Sequence, residues 1–196
     1  HDSRSVSVLL LLDLSESLND IVDATNQSIL ELSQEAVSLL AWSVEQLGDN
    51  FAIAGFNSNT REQVMYYHIK GYSEHWDDTV KARLASLKAE YSTRMGAAIR
   101  HGAHYLDLQK SDKKLMLILT DGEPSDVDVN DSEMLIKDTH KAVQECQQKG
   151  MYPYCISLDN KADDYISDVF GSHYSVIDKI ESLPKELPQL FLSLTK

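Results

Sequence analysis

The 196-residue chain has only two cysteines, Cys146 and Cys155, nine positions apart and with no C-x-x-C between them. That pattern supports neither a zinc site nor a disulfide framework, and it reads as two reduced thiols of a cytoplasmic protein. Positive charge is also scarce: 18 Lys+Arg stand against 31 Asp+Glu, a net charge of −13 with pI ≈ 4.8. No basic field is available to neutralise phosphates, which argues against nucleic acid and anionic membrane as partners. The longest apolar runs, Val8–Leu12 and Leu115–Leu119, are far too short to span a bilayer. The chain shows no signal-peptide pattern, internal repeat, low-complexity tract or linker. It has no G-x-x-x-x-G-K, so any ATP chemistry would belong to a partner. It starts at His1 rather than Met, as expected of an excised domain or a tag remnant.

What is present is enough for one α/β domain over residues 1–196, since 42% apolar content can fill a sizeable core. Val6–Leu12 is apolar at nearly every position, the pattern of a strand buried on both faces of a parallel sheet. Lys114–Leu119 has the same character. Between them, apolar residues at Ile29, Leu32, Ala36, Leu40, Val44 and Leu47 step by threes and fours, predicting a helix with Gly48 as its C-cap. Phe51–Phe56 predicts a second strand, and Gln63–Ile69 a third, antiparallel at the sheet edge because only a short turn precedes it. Helices are predicted over Trp76–Leu87, Met95–Leu108, Ser132–Lys149 and Asp163–Phe170. Short strands are predicted over Tyr152–Leu158 and Tyr174–Ile177, with a closing helix or pair of turns over Pro184–Leu194. This alternation predicts a Rossmann-like, mainly parallel sheet with helices on both faces.

In open α/β sheets the ligand crevice lies beyond the carboxyl ends of the strands. Two polar motifs fall there: Asp13-Leu14-Ser15-Glu16-Ser17 after Leu12, and Thr120-Asp121-Gly122 after Leu119. Ser92-Thr93-Arg94-Met95-Gly96 opens a helix between them and offers a further hydroxyl, from Thr93 or the adjacent Ser92. Carboxylates and hydroxyls are hard oxygen donors, suited to Mg2+, Mn2+ or Ca2+ rather than to zinc or copper. Hydroxyls bring no charge, so an ion held by them and by one or two carboxylates keeps positive character toward an outside anionic oxygen. Each motif alone has an ordinary explanation, as a helix cap or a turn. Their joint placement at two strand ends favours the metal reading.

Asp13-x-Ser15-x-Ser17, Thr93 and Thr120-Asp121-Gly122 resemble the metal-ion-dependent adhesion site of von Willebrand factor A domains. Longer stretches, LLLLDLSESLND at 9–20, TRMGAAIRH at 93–101 and LTDGEPSDVDV at 119–129, are similar to the C-terminal von Willebrand factor A domain of the CbbO/NorD group. GYSEHWDD at 71–78 and LPKELPQLFLSLTK at 183–196 also fit that group, and the second resembles a natural C-terminus. AGFNSNT at 54–60 and WDDTVKARL at 76–84 resemble the CbbO branch more than the NorD branch. The resemblance implies a bacterial, non-catalytic adaptor working beside a MoxR- or CbbQ-type AAA+ ATPase. Its client would be Rubisco in the CbbO reading, or the nitric oxide reductase system in the NorD reading, captured through an acidic residue. It implies Asp13, Ser15, Ser17, Thr93 and Asp121 as ligands of a Mg2+ ion.

A different class of function is a Mg2+-dependent phosphotransferase with Asp13 as nucleophile. Such sites place a second Asp two residues on, where this chain has Ser15. A third reading is an adhesion domain outside the cell, which the unpaired cysteines disfavour. Elsewhere, Glu16 alternates away from the serines and is expected in solvent. Glu123, Asp126, Asp128 and Asp131 lack EF-hand spacing and read as a solvated loop that could border a docking surface. His101 and His104 share a helix face but have no evident third ligand, so surface histidines are expected. Arg94 and Arg100 flank the metal loop and could either attract an acidic client or form ordinary helix-surface charge. Trp42 and Trp76 are expected in the core or half-buried.

Overall fold

The computed structural model describes residues 4–60, 63–122, 132–159 and 163–196. Val8, Leu10 and Leu12 alternate with Leu9 and Leu11 along the first strand, and all five are buried, so both faces of that strand carry core. This strand, β1 (Val6–Asp13), is central to a six-stranded sheet among the described residues. The other strands are β4 (Asn50–Thr60), β5 (Gln63–Lys70), β6 (Lys113–Thr120), β7 (Tyr152–Ser157) and β8 (Tyr174–Val176). Their spatial order is β5-β4-β1-β6-β7-β8, and every neighbouring pair is parallel except β4–β5. The expected mainly parallel α/β sheet with one antiparallel edge strand is therefore present.

Helices cover both faces. Helix α1 (Ile29–Leu47), α2 (Asp78–Ala85) and α6 (Leu183–Leu194) contribute to one core cluster, with the even-numbered residues of β1. Helix α3 (Met95–Asp107), α4 (Ser132–Gln148) and α5 (Asp163–Phe170) contribute to the other, with Leu9 and Leu11. Helix α1 opens with a capping box, Ser28 accepting from the Glu31 amide and Glu31 accepting from the Ser28 amide, and ends at Gly48 with φ +75°.

Several local expectations are corrected. The helix predicted to open at Trp76 opens at Asp78, because the Asp77 carboxylate accepts the Val80 amide at 3.0 Å and caps it. Residues Ile21–Val22 (β2) and Gln27–Ser28 (β3) pair as a small hairpin that periodicity did not signal, the segments being two residues each. Leu47, placed on the buried stripe of α1 by its spacing, is 37% exposed because the sheet ends before that last turn. Trp76 packs against the core as expected, but Trp42 is 58% exposed on the outer face of α1. Cys146 and Cys155 are both buried and free, and burial pushes the Cys146 thiol up to about 11. The acidic run Glu123, Asp126, Asp128 and Asp131 lies outside the described residues.

One glycine ties the sheet to the loop beyond β1. Gly55 on β4 has the Leu14 side chain packed where a Cβ would stand, and Leu14 is itself 1% exposed. Replacing Gly55 with alanine is expected to cost about 1–3 kcal/mol, through overpacking against the residue that follows Asp13. Urea unfolding of Gly55→Ala, compared with the unsubstituted chain, measures it.

Candidate metal centre

β1 and β6 are parallel neighbours paired as far as Leu12↔Leu119, so Asp13 and Thr120 emerge side by side at their carboxyl ends. Asp13 is 2% exposed. Its Oδ1 accepts the Ser15 amide and the Thr93 hydroxyl, each at 3.0 Å, and its Oδ2 accepts the Thr120 hydroxyl at 2.7 Å. Ser15 Oγ lies 3.2 Å from Ser17 Oγ, and the Ser17 hydroxyl donates to Asp121 Oδ1 at 3.0 Å. The five oxygen-bearing residues singled out from the sequence thus form one hydrogen-bonded cluster drawn from three loops. Thr120 belongs to it as well: its hydroxyl orients Asp13 and accepts the Gly122 amide at 3.3 Å. Thr120 lies in the Thr120-Asp121-Gly122 motif noted at the strand end, although it is not among the ligands that the resemblance implies.

The loop carrying Thr93 is held by backbone pairing. Ser58 and Ser92 exchange amide–carbonyl bonds of 2.9 and 3.0 Å, joining this loop to the end of β4. The Glu90 amide donates to Leu14 O at 2.8 Å and the Glu16 amide to Tyr91 O at 3.0 Å. Tyr91 adopts φ +66°, a costly conformation for a non-glycine residue that the flanking bonds maintain. These bonds decide between the two candidate hydroxyls: the backbone of Ser92 pairs with β4, while the Thr93 hydroxyl, on a residue 3% exposed, reaches Asp13. Beside the cluster is a recess of about 260 Å³ lined by Leu14, Asn57, Tyr67, Leu87 and Glu90.

The electrostatics show what the cluster lacks. Burial, with Asp121 adding in the same direction, pushes the Asp13 carboxyl up to about 6 against the opposition of the three donated hydrogen bonds. Burial also raises Asp121; the Ser17 hydroxyl opposes this, and Asp20 and Asp159 add to the rise. Two carboxylates are therefore held together with hydroxyls facing them, an arrangement that a hard divalent cation would relieve. No group of three His, Cys, Asp or Glu is gathered among the described residues, and among them the side-chain oxygens hydrogen-bonded to Asp13 and Asp121 are hydroxyls.

The other candidates separate from this site. Glu16 is exposed, as expected. His101 and His104 are exposed on α3, where His101 lies against Tyr66 and Tyr105. Arg100 does not face the loop: it pairs with Asp138 at 3.0 Å and Glu145 at 3.4 Å on α4, because the helix turns it toward that neighbour.

An open α/β sheet with an acid-and-hydroxyl cluster beyond its two central strands defines an α/β domain with an oxygen-donor crevice. The chain belongs to the von Willebrand factor type A domain family, whose model matches residues 7–181. It is 35% identical to Protein NorD of Stutzerimonas stutzeri over 89% of this chain and 28% of that protein. It is also 35% identical to Protein NorD of Brucella melitensis, over 98% of this chain and 30% of that protein. The chain thus spans about 30% of the length of these curated relatives. Among solved structures, the PilB minor pilin of Streptococcus sanguinis shares the fold, with a TM-score of 0.75 and 15% identity, over 99% of this chain and 62% of that one. Among the described residues no helix is long and apolar enough to cross a membrane.

Asp13 gives a pH prediction for the metal-free protein. Its folded-state value, about 6, lies above the ordinary 3.8, so ionisation opposes folding. That cost is absent below the ordinary value, grows as pH rises between the two, and is complete above about 6. In EDTA, Asp13→Asn is expected to be more stable than the unsubstituted chain at pH 8 by about 2–3 kcal/mol. The advantage should shrink toward zero at pH 4, which denaturant melts at the two pH values test.

Proposed function

We propose that this domain is a non-catalytic, metal-dependent protein-binding adaptor. The observation that carries the reading is the cluster of Asp13, Ser15, Ser17, Thr93 and Asp121, in which burial raises both carboxyls and Asp121 raises Asp13 further. These residues would hold Mg2+, with Mn2+ or Ca2+ as chemical alternatives. A bound ion supplies positive charge to an incoming carboxylate. The chain's own part is to position the donors. Thr120, Thr93 and the Ser15 amide orient Asp13, Ser17 orients Asp121, and the Ser58–Ser92 pairing holds the Thr93 loop in place. Because the hydroxyls are neutral, at most two negative charges offset the ion, and it retains attraction for an acidic residue of a client.

The NorD-named relatives and the resemblance to CbbO both lie within one group of adaptors. In this reading the domain is the C-terminal part of a longer cytoplasmic protein partnered by a MoxR- or CbbQ-type AAA+ ATPase. The ATPase would supply the work, and this domain would grip the client. Rubisco is the client proposed from the CbbO-like stretches at 54–60 and 76–84, and the nitric oxide reductase system is the client if the NorD branch applies.

Isothermal titration of Mg2+ or Mn2+ into the purified chain is expected to show one divalent site, which Asp13→Ala removes while the circular dichroism spectrum is unchanged. Purified Rubisco should be retained by the immobilised domain in Mg2+ and released by EDTA, with Asp13→Ala binding at least about tenfold weaker. Retention undiminished in EDTA would contradict the metal-bridged mechanism.

A further inference from the structure

The charge of this chain is unevenly distributed. Between Arg4 and Arg61 there is no lysine, arginine or histidine, while eight acidic residues occur: Asp13, Glu16, Asp20, Asp23, Glu31, Glu35, Glu45 and Asp49. Helix α1 lies wholly inside this stretch, and its only charges are Glu31, Glu35 and Glu45. The inner stripe of α1 meets the sheet, and its sides meet α2 and α6. Along its outer ridge, at steps of four, four, three and four, stand Glu31, Glu35, Leu39, Trp42 and Gln46, all exposed. Trp42 is 58% and Leu39 46% exposed. An exposed Trp–Leu pair one turn apart is an unusual use of large apolar side chains, and tryptophan is the residue type most enriched at binding hot spots.

The end of α6 extends this apolar ground. Arg4 donates to Asp49, just beyond α1, at 2.8 Å, and to the Thr195 hydroxyl, just beyond α6, also at 2.8 Å. The two helices therefore finish at the same end of the domain, where Leu47 of α1 is 37% and Leu192 of α6 is 42% exposed. That end is opposite the Asp13 cluster, because α1 runs back from the carboxyl ends of the strands to the start of β4. Around α1, Arg4 pairs with Asp49, His75 Nδ1 lies 3.6 Å from Glu45 Oε1, and further cations stand on the flanking helices. Lys81 on α2 is 3.9 Å from Asp78, and Lys185 on α6 neighbours Glu186 in sequence.

We propose that the outer ridge of α1 docks a basic amphipathic helix of a protein partner, at a site separate from the metal cluster. The partner's apolar face covers Leu39 and Trp42, and its lysines or arginines lie toward Glu31 and Glu35. From Glu31 to Gln46 the ridge runs about 22 Å, enough to seat a partner helix of about 15 residues. Charge selects this occupant. A second copy of the chain would set acidic ridge against acidic ridge, and an anionic lipid surface would be repelled.

The probes are two 18-residue helical peptides with the same leucine face, one flanked by lysines and the other by glutamates. Each is titrated into the full 196-residue chain by calorimetry, with tryptophan emission followed in parallel. The lysine peptide is expected to bind, to shift the emission to the blue, and to weaken as salt rises; the glutamate peptide is expected not to bind. Trp42→Ser and Leu39→Ser should each weaken binding about tenfold or more, with unchanged thermal unfolding because both side chains are largely exposed. Glu31→Gln with Glu35→Gln should weaken it several-fold and flatten its salt dependence. Leu108→Ser, on an exposed residue after α3, and Asp13→Ala should leave it unchanged, so the result is independent of the metal-site reading. Equal binding of both peptides, or lysine-peptide binding indifferent to Trp42→Ser and Leu39→Ser, would overturn the proposal. Self-association of the chain that Trp42→Ser abolishes would overturn it too, in favour of a second copy.

Discussion

A carboxylate that is 2% exposed must find its stabilisation inside the protein, and the architecture around Asp13 follows from that requirement. Three donors meet it: the Ser15 amide, the Thr93 hydroxyl and the Thr120 hydroxyl. They come from the loop after β1, the loop before α3, and the end of β6. The Ser15 amide is local, but the two hydroxyls arrive only because the sheet is ordered with β1 between β4 and β6. Thr120 is delivered by the parallel register with β6, and Thr93 by the pairing of its loop with β4. The close approach of Leu14 to Gly55 fixes the point at which the chain turns away from β1.

Hydrogen bonds alone do not settle the charge. Burial and the nearby Asp121 still raise Asp13 despite its three donors, and Asp121 is itself raised by burial, with Asp20 and Asp159 adding to the rise. In the proposed reading, a divalent cation would offset the charge that burial leaves on these carboxylates. A protein with a net charge of −13 would otherwise repel an acidic client. A cation held by the Asp13 cluster, as proposed, would reverse the sign at one point of the surface, whereas the ridge of α1 keeps the acidic sign and presents it beside Leu39 and Trp42. The ridge begins near the carboxyl ends of the strands and runs away from the Asp13 cluster along α1.

The sheet and most helices were legible because their signals are local. β1 and β6 are apolar throughout, since both of their faces meet helices, and α1 and α3 show the helical period of a one-sided core contact. The convergence of the oxygen donors was legible for a related reason: D-x-S-x-S and T-D-G stand directly after the two most evident strands, and strand ends converge in this class of fold. Shorter or context-dependent features were not. The β2–β3 hairpin is too brief for periodicity to register. For Arg100 the sequence leaves open a role beside the metal loop or ordinary helix-surface charge, and the rotation of α3 decides for the second by carrying it to Asp138 and Glu145.

By itself the sequence determined the alternation of strands and helices, the acidic balance, and the presence of carboxylates and hydroxyls at strand ends, because each of these is a property of neighbouring residues. Only the tertiary structure decided which hydroxyl before α3 reaches Asp13, that Thr120 joins it, and that Trp42 faces outward although its composition suggested core. Those outcomes depend on register, on helix rotation, and on where the sheet stops covering a helix. All three are set by contacts between segments distant in the chain, about which local pattern carries no information.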